Sequence, residues 1–308
     1  MTGAFMDFNG VFPILATPFN EDGSLDLESF DRLVRFNAGI GVHGVTVLGV
    51  LGESNRLLDR EREALIACAV GAAAGRLPVI VGASHPGTAA TIGLCRMAAD
   101  LGAAAVMVAP SAEPVPNEAR VFEYFSQVAA GAGLPVVAQD HPASTQVHMS
   151  LPLLLRLVAE ISGIACIKEE GLPTPARVGA LKQGMGARRV PVLTGLGALY
   201  GYFDLMAGAD GFNTGFAFPE VLLAMDRAAR AGDAAECFRL YARYLPLLVF
   251  EQQPGVAVRK ELLRMRGLLR APQVRHPGAG ITEAAARQLR DVVERVLPGI
   301  DITRPIVA

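Results

Sequence analysis

The sequence predicts a (β/α)8 barrel, a TIM barrel, with a C-terminal helical extension, and three observations carry that expectation. Short runs rich in Val, Ile and Ala recur along the chain and read as strands buried on both faces. Segments of helical period lie between them, with Gly and Pro at the joints. Roughly eight such units, spaced by about 20 to 35 residues, suit a closed barrel better than a doubly wound sheet, which usually stops at fewer strands.

The strand-like runs begin at Val11 (VFPILAT), Gly44 (GVTVLGV), Pro78 (PVIVGAS), Ala104 (AAVMVAP), Pro135 (PVVAQD), Ile164 (IACIKE), Val190 (VPVLTGL) and Gly211 (GFNTGFAF). Helical period runs over 27–38, 59–74, 89–101, 117–130, 151–160 and 198–207. Joints such as Gly75-Arg76-Leu77-Pro78 and Ala132-Gly133-Leu134-Pro135 end a helix and open the next strand. The uncharged stretch 36–52 is long enough to suggest a membrane span, but Gly39, Gly41, Gly44 and Gly49 interrupt it and His43 and Thr46 are polar, so a turn and a buried strand are expected. Four further helices are expected near 219–231, 234–248, 256–269 and 282–296, more than barrel closure needs. Residues 1–230 are therefore assigned to the barrel and 231–308 to an extension at which subunits could meet.

A chain of 308 residues with 51% hydrophobic and 19% charged residues excludes disorder and fibres. A formal net charge of -2 gives no electrostatic support for nucleic-acid binding. The N-terminus MTGAFMDFNG lacks a basic segment followed by an apolar one, so no secretory signal is expected. Cys68, Cys95, Cys166 and Cys237 lie far apart without metal-ligand spacing, which suits reduced core thiols in a cytoplasmic protein and argues against a metal site. No glycine fingerprint of a nucleotide site follows the first strand.

In a barrel of this kind the reactive groups stand at the C-terminal strand ends. That rule selects Thr17, the Gly49–Glu53 turn, Ser84, His85, Pro110, Gln139 to Pro142, Lys168 to Glu170, Thr194, Gly195 and Asn213 to Gly215. Only three of the 28 basic residues are lysines, and Lys168, unlike Lys182 in a polar segment or Lys260 on an amphipathic terminal helix, ends an apolar run. Period two places Ile164, Cys166 and Lys168 on one face. If that face is the barrel interior, desolvation lowers the lysine pKa and a neutral amine can attack a ketone. The alternative is that Lys168 pairs with Glu169 or Glu170 and only closes the barrel mouth.

Val11-Phe12-Pro13 through Ala16-Thr17-Pro18-Phe19, Asp22-Gly23-Ser24-Leu25-Asp26, Gly49-Val50-Leu51-Gly52-Glu53, Asp59-Arg60-Glu61-Arg62, Pro142 and Gly163-Ile164-Ala165-Cys166-Ile167-Lys168-Glu169 together resemble the dihydrodipicolinate synthase and N-acetylneuraminate lyase family. The resemblance implies a barrel, assembled as a homotetramer or dimer, in which Lys168 forms a Schiff base with pyruvate or another 2-keto acid. No separate cofactor is implied. Val50, Leu51, Gly52 and Glu53 correspond to the loop that holds the keto-acid carboxylate, although two hydroxyls of the family pattern are absent. Where most of the family has Tyr-Asn-x-Pro, this chain has Gln139-Asp140-His141-Pro142, and the arginine that the synthase carries just afterwards is replaced within Ala143-Ser144-Thr145. Glutamine cannot titrate as tyrosine does.

Gln139-Asp140-His141-Pro142-Ala143-Ser144, Ser84-His85 and Arg275-His276-Pro277 are closer to the branch containing L-2-keto-3-deoxyarabonate dehydratase. The resemblance implies a lyase that removes water from a 2-keto-3-deoxy sugar acid, with an aldolase, the synthase itself or a non-catalytic keto-acid-binding barrel as alternatives. Lys168, Gln139 and Asp140 are expected to be catalytic. Val50, Leu51, Gly52, Glu53, His85 and Asn213 are expected to bind substrate, Asn213 through its backbone. The proton donor to the departing hydroxyl is left open among Glu53, His85, Asp140, His141 and Glu170.

Overall fold

The computed structural model describes residues 6–111, 117–253 and 255–308. Eight parallel strands, β1 (Gly10–Val11), β2 (Val45–Val47), β3 (Val79–Gly82), β4 (Ala105–Val108), β5 (Val136–Asp140), β6 (Ile164–Glu169), β7 (Val192–Thr194) and β8 (Gly211–Phe212), form one sheet in the order β1-β8-β7-β6-β5-β4-β3-β2. A parallel bridge between Ile14 and Thr46 closes it, with Leu15 N–H donating to Thr46 O at 2.9 Å and Thr46 N–H to Pro13 O at 2.8 Å. The molecule is a (β/α)8 barrel.

Its interior is filled by Phe8, Phe12, Ile80, Ala105, Met107, Val137, Ala165, Cys166 and Leu193, a cluster separate from the larger one under the helices. Interdigitation of aromatic and branched side chains from successive strands makes this a packed core rather than a pore.

The outer coat is α1 (Leu27–Ile40), α2 (Asp59–Ala73), α3 (Thr88–Asp100), α4 (Glu118–Gly131), the single turn α5 (Pro142–Thr145), α6 (Leu151–Glu160), α7 (Thr174–Gly184), α8 (Gly201–Met206) and α9 (Pro219–Arg230). The chain continues into α10 (Ala234–Glu251), α11 (Ala257–Met265) and α12 (Glu283–Val296). Asn117 and Thr282, expected inside helices, are instead N-caps whose side chains accept from the N–H of Arg120 and Ala285. The helix expected over 198–207 is broken into a 3-10 turn at Leu196–Ala198 and α8. α7 was not anticipated because its residues carry no apolar period. No helix among the described residues is long and apolar enough to cross a membrane.

One departure decides the orientation of the candidate nucleophile. Val136 pairs with Ile164 but Val137 pairs with Cys166, so β6 carries an extra residue at Ala165. Ile164 therefore belongs to the outer cluster, while Cys166 lies in the interior. The expected common face of Ile164, Cys166 and Lys168 is corrected: a bulge reverses the alternation, and only Cys166 and Lys168 point inward.

Candidate active site

From the bulge onward, β5 and β6 run in register, with Gln139 opposite Lys168 and Asp140 opposite Glu169. Because alternate residues face opposite sides, the first pair points into the barrel and the second toward the helices. Glu170, one residue past β6, turns inward again. Its Oε2 accepts from Gln139 Nε2 at 2.6 Å and lies 3.1 Å from Lys168 Nζ, and its Oε1 accepts from Leu196 N–H at 3.0 Å. The carboxylate lies so close to Gly195 that a Cβ there would stand 2.0 Å from Oε1, so only glycine fits.

Burial pushes the Glu170 pKa upward, but the Lys168 ammonium, His141, the Leu196 N–H and the Gln139 amide together hold it below the ordinary carboxylate value. Lys168 is 2% exposed and this carboxylate is its ion-pair partner. The three side chains line a cavity of about 190 Å³ with Val50, Leu51, His141, Thr214, Glu251, Gln252 and Arg259 among its other walls, several times the share of about 30 Å³ that one water takes in the liquid. His141 is kept toward its neutral form by burial, and its Nδ1 shares a 2.6 Å hydrogen bond with Ser144 Oγ.

The Gly49–Glu53 turn is a 3-10 turn over Val50–Gly52 that ends on Glu53 at φ 54°. Thr17 Oγ1 donates to Gly52 O at 2.6 Å, tying the turn to the segment after β1. Gly52 N–H donates to Gly49 O at 2.9 Å, whereas the N–H groups of Val50 and Leu51, in the loop expected to hold the keto-acid carboxylate, have no partner among the described residues. Neither side chain supplies a hydroxyl.

Glu53 does not line the cavity. Its carboxylate accepts from Lys260 Nζ, from Arg56 Nη1 at 2.7 Å and from Arg275 N–H at 3.0 Å. Lys260, expected on the surface of a terminal helix, is fully buried; burial pushes its pKa down to about 8 against the pull of Glu53. Glu53, expected to bind substrate, is instead turned away from the cavity, its carboxylate taken by two cations and one backbone N–H that tie the turn to the C-terminal segment.

Asp140 is likewise placed on the outer side. Arg177 on α7 donates from Nη2 to Asp140 Oδ2 at 2.6 Å and from Nε to Glu169 Oε1 at 3.0 Å. Burial pushes Asp140 up to about 6 and Glu169 up to about 7, with Arg177 pulling both down. One guanidinium thus serves two buried carboxylates, and Asp140 does not line the Lys168 cavity but a neighbouring one that Glu170 also borders. His85 is exposed, and its Nδ1 accepts from Gly87 N–H at 3.0 Å at the start of α3. Asn213 is fully buried, its Nδ2 donating to Thr46 Oγ1 at 2.7 Å. Neither His85 nor Asn213 lines the Lys168 cavity.

Sequence reasoning did not single out Arg177, Glu251, Gln252 or Arg259. Arg177 sits on a helix without an apolar stripe. The other three belong to the α10–α11 junction, which the domain division assigned to the extension, yet they wall the barrel mouth. Glu251 accepts from Arg259 Nε at 2.7 Å and from Ala217 N–H at 3.1 Å. Among the described residues no group of three His, Cys, Asp or Glu could hold a metal ion.

The dihydrodipicolinate synthetase family matches residues 7–296. L-2-keto-3-deoxyarabonate dehydratase of Azospirillum brasilense is 33% identical over 94% of this chain and 94% of its own length. A 4-hydroxy-tetrahydrodipicolinate synthase of Methanothrix thermoacetophila is 31% identical over 94% of this chain and 97% of its own. Among solved structures, dihydrodipicolinate synthase from Rhodopseudomonas palustris superposes with a TM-score of 0.89 at 36% identity, covering 93% of this chain and 97% of that one.

Proposed function

This chain belongs to the dihydrodipicolinate synthetase family, and on that premise we propose that it is a Schiff-base lyase that dehydrates a 2-keto-3-deoxy sugar acid. The observation that carries the reading is the cluster of Lys168, Glu170 and Gln139 at one cavity wall, where the family's tyrosine position holds an amide and a carboxylate stands beside the lysine. The dehydratase relative supports the choice of leaving bond.

In the proposed cycle Lys168 carries the substrate and Glu170 carries its protons. Lys168 gives up a proton, Glu170 being the acceptor within 3.1 Å, and its amine adds to the C2 carbonyl. Glu170 returns that proton to the carbinolamine hydroxyl, which leaves as water, so the carboxylate is again ionised and an iminium is left whose positive charge acidifies the C3 hydrogens. Glu170, held ionised at rest, takes a C3 proton and an enamine forms. The enamine electron pair expels the C4 hydroxyl, Glu170 returns the proton to it, and water departs. Hydrolysis of the resulting unsaturated iminium frees Lys168, so the net change is loss of one water. Gln139 cannot exchange a proton and orients Glu170. Of the proton carriers left open by the sequence, Glu53, His85, Asp140, His141 and Glu170, we assign the role to Glu170, whose carboxylate stands beside Lys168 Nζ, while His141 lines the same cavity without such a contact among the described residues.

The synthase relatives favour a second reading, 4-hydroxy-tetrahydrodipicolinate synthase activity. Gln139 in place of a titratable tyrosine, and the absence of an arginine from Ala143-Ser144-Thr145, argue against it. Aldol cleavage would share the iminium and enamine and break C3–C4 instead. Incubation with pyruvate or a keto-deoxy acid under borohydride, followed by mass analysis of the Lys168 peptide, tests the Schiff base. A panel of 2-keto-3-deoxy sugar acids, assayed for dehydrated acid, for aldehyde and for pyruvate, separates dehydration from cleavage and from binding alone.

A further inference from the structure

To hold a carboxylate, the turn that faces Lys168 offers only the backbone N–H groups of Val50 and Leu51. Val50 and Leu51 bring no hydroxyl, Gly52 N–H is engaged by Gly49 O, and Glu53 is saturated by Lys260, Arg56 and Arg275. Lys168, the other cation of the cavity, is paired with Glu170.

A second cation reaches the same cavity from the other end of the chain. Arg259 on α11 is 5% exposed and lines the cavity together with Val50, Leu51 and Lys168. Its Nε is fixed by Glu251 at 2.7 Å, and Glu251 is itself anchored by Ala217 N–H. Neither Nη group makes a hydrogen bond to another described residue. The guanidinium lies against the turn: a Cβ on Gly215 would stand 2.4 Å from Leu51 Cδ1 and 3.1 Å from Arg259 Nη1, so both side chains press on the same glycine. A guanidinium with one donor clamped and its outer edge open toward a cavity offers the planar fork that grips a carboxylate through two parallel bonds.

We infer that Arg259, held by Glu251, binds the C1 carboxylate of the 2-keto acid and takes the place of the missing turn hydroxyls. The inference rests on the keto-acid reading above. Buried position and a preset orientation make it a binding residue for every substrate of the site, independent of the sugar tail.

Cyanoborohydride trapping on the full chain tests it, with two three-carbon ketones as probes: pyruvate, and hydroxyacetone, which lacks the carboxylate. In the unaltered protein the Lys168 adduct should half-saturate at a pyruvate concentration at least about tenfold below that for hydroxyacetone. Arg259→Gln should raise the pyruvate concentration about tenfold or more and leave hydroxyacetone unchanged. Arg259→Lys, which keeps the pair with Glu251 but loses the fork, should show a smaller shift for pyruvate alone. Because Arg259→Gln strands Glu251, the neutral double variant Glu251→Gln with Arg259→Gln is measured beside it and should behave the same. Unchanged pyruvate trapping in these variants, or an equal loss for both ketones in proteins that melt normally, overturns the inference while leaving the Schiff base intact. Absence of any adduct in the unaltered protein overturns the keto-acid reading and this inference with it.

Discussion

Gln139 and Lys168 are partners across the β5–β6 ladder, and both aim at one oxygen, Glu170 Oε2, from 2.6 and 3.1 Å. An amide and an ammonium converging on that oxygen stabilise the ionised carboxylate, while Leu196 N–H holds its other oxygen. A base is thereby fixed beside the nitrogen that would carry the substrate. The same ladder, one residue further, sets Asp140 against Glu169 on the opposite face, where both meet Arg177.

Replacing Lys168 with Ala should abolish both trapping and turnover, whereas Glu170→Gln should slow formation of the borohydride adduct without preventing it and lower kcat by about 10²- to 10⁴-fold, the usual contribution of a placed acid or base. Mass spectrometry of the trapped peptide and steady-state rates on the same preparation distinguish the two. A loss of adduct as complete as in Lys168→Ala would confine Glu170 to lysine activation and reject its role at C3.

Gln139→Leu should move the acidic limb of the kcat–pH profile to higher pH. Glu170 lies below its ordinary value in part because Gln139 donates to it, so removing that bond raises the pKa at which the base is lost. A profile that falls in height without shifting its limb would mean that Gln139 acts on substrate rather than on Glu170.

Asp140 and Glu169 make a stability prediction. Their folded pKa values are raised to about 6 and about 7, above the ordinary 3.8 and 4.5, so their contribution is complete below about pH 4 and is lost as pH rises through 7. For Asp140 the loss amounts to about 2–3 kcal/mol. Asp140→Asn leaves Arg177 matched to one carboxylate, and chemical denaturation at pH 5 and pH 8 should show a smaller decline between the two than in the unaltered protein. An unchanged decline rejects the argument.

Lys260→Met should destabilise the fold by about 3–5 kcal/mol, because it leaves Glu53 buried with part of its partner set removed. It should also weaken trapping of pyruvate, since the Glu53 end of the Val50–Gly52 turn loses its anchor. Thermal melts and the half-saturating ketone concentration measure the two effects; normal melting would place the pair's value elsewhere.

A homo-oligomer remains our expectation, and the exposed face of α8 and α10 is where we place a subunit contact. Phe203 and Phe238 are 45% and 49% exposed, and Tyr202 packs edge-on against both at ring-centre separations of 5.2 and 5.1 Å. Phe238→Asp should lower the mass measured by light scattering after size-exclusion chromatography. An unaltered mass moves the contact away from this face.

The repeating apolar runs and their helical spacers determine the barrel, because a strand covered on both faces must be apolar throughout and each parallel pair needs a crossover. The same logic isolates Lys168, since a cation at the end of such a run is conspicuous. Strand parity, in contrast, is local and breaks at the bulge at Ala165, which no periodicity announces. Only the folded chain therefore decides that Lys168 and Gln139 face inward with Glu170 while Asp140 faces Arg177. Glu53 and Lys260 are 207 residues apart in sequence, and Arg259 reaches the mouth from a segment assigned to the extension. Such pairings are made by three-dimensional closure, which brings together charges whose spacing along the chain carries no trace of their contact.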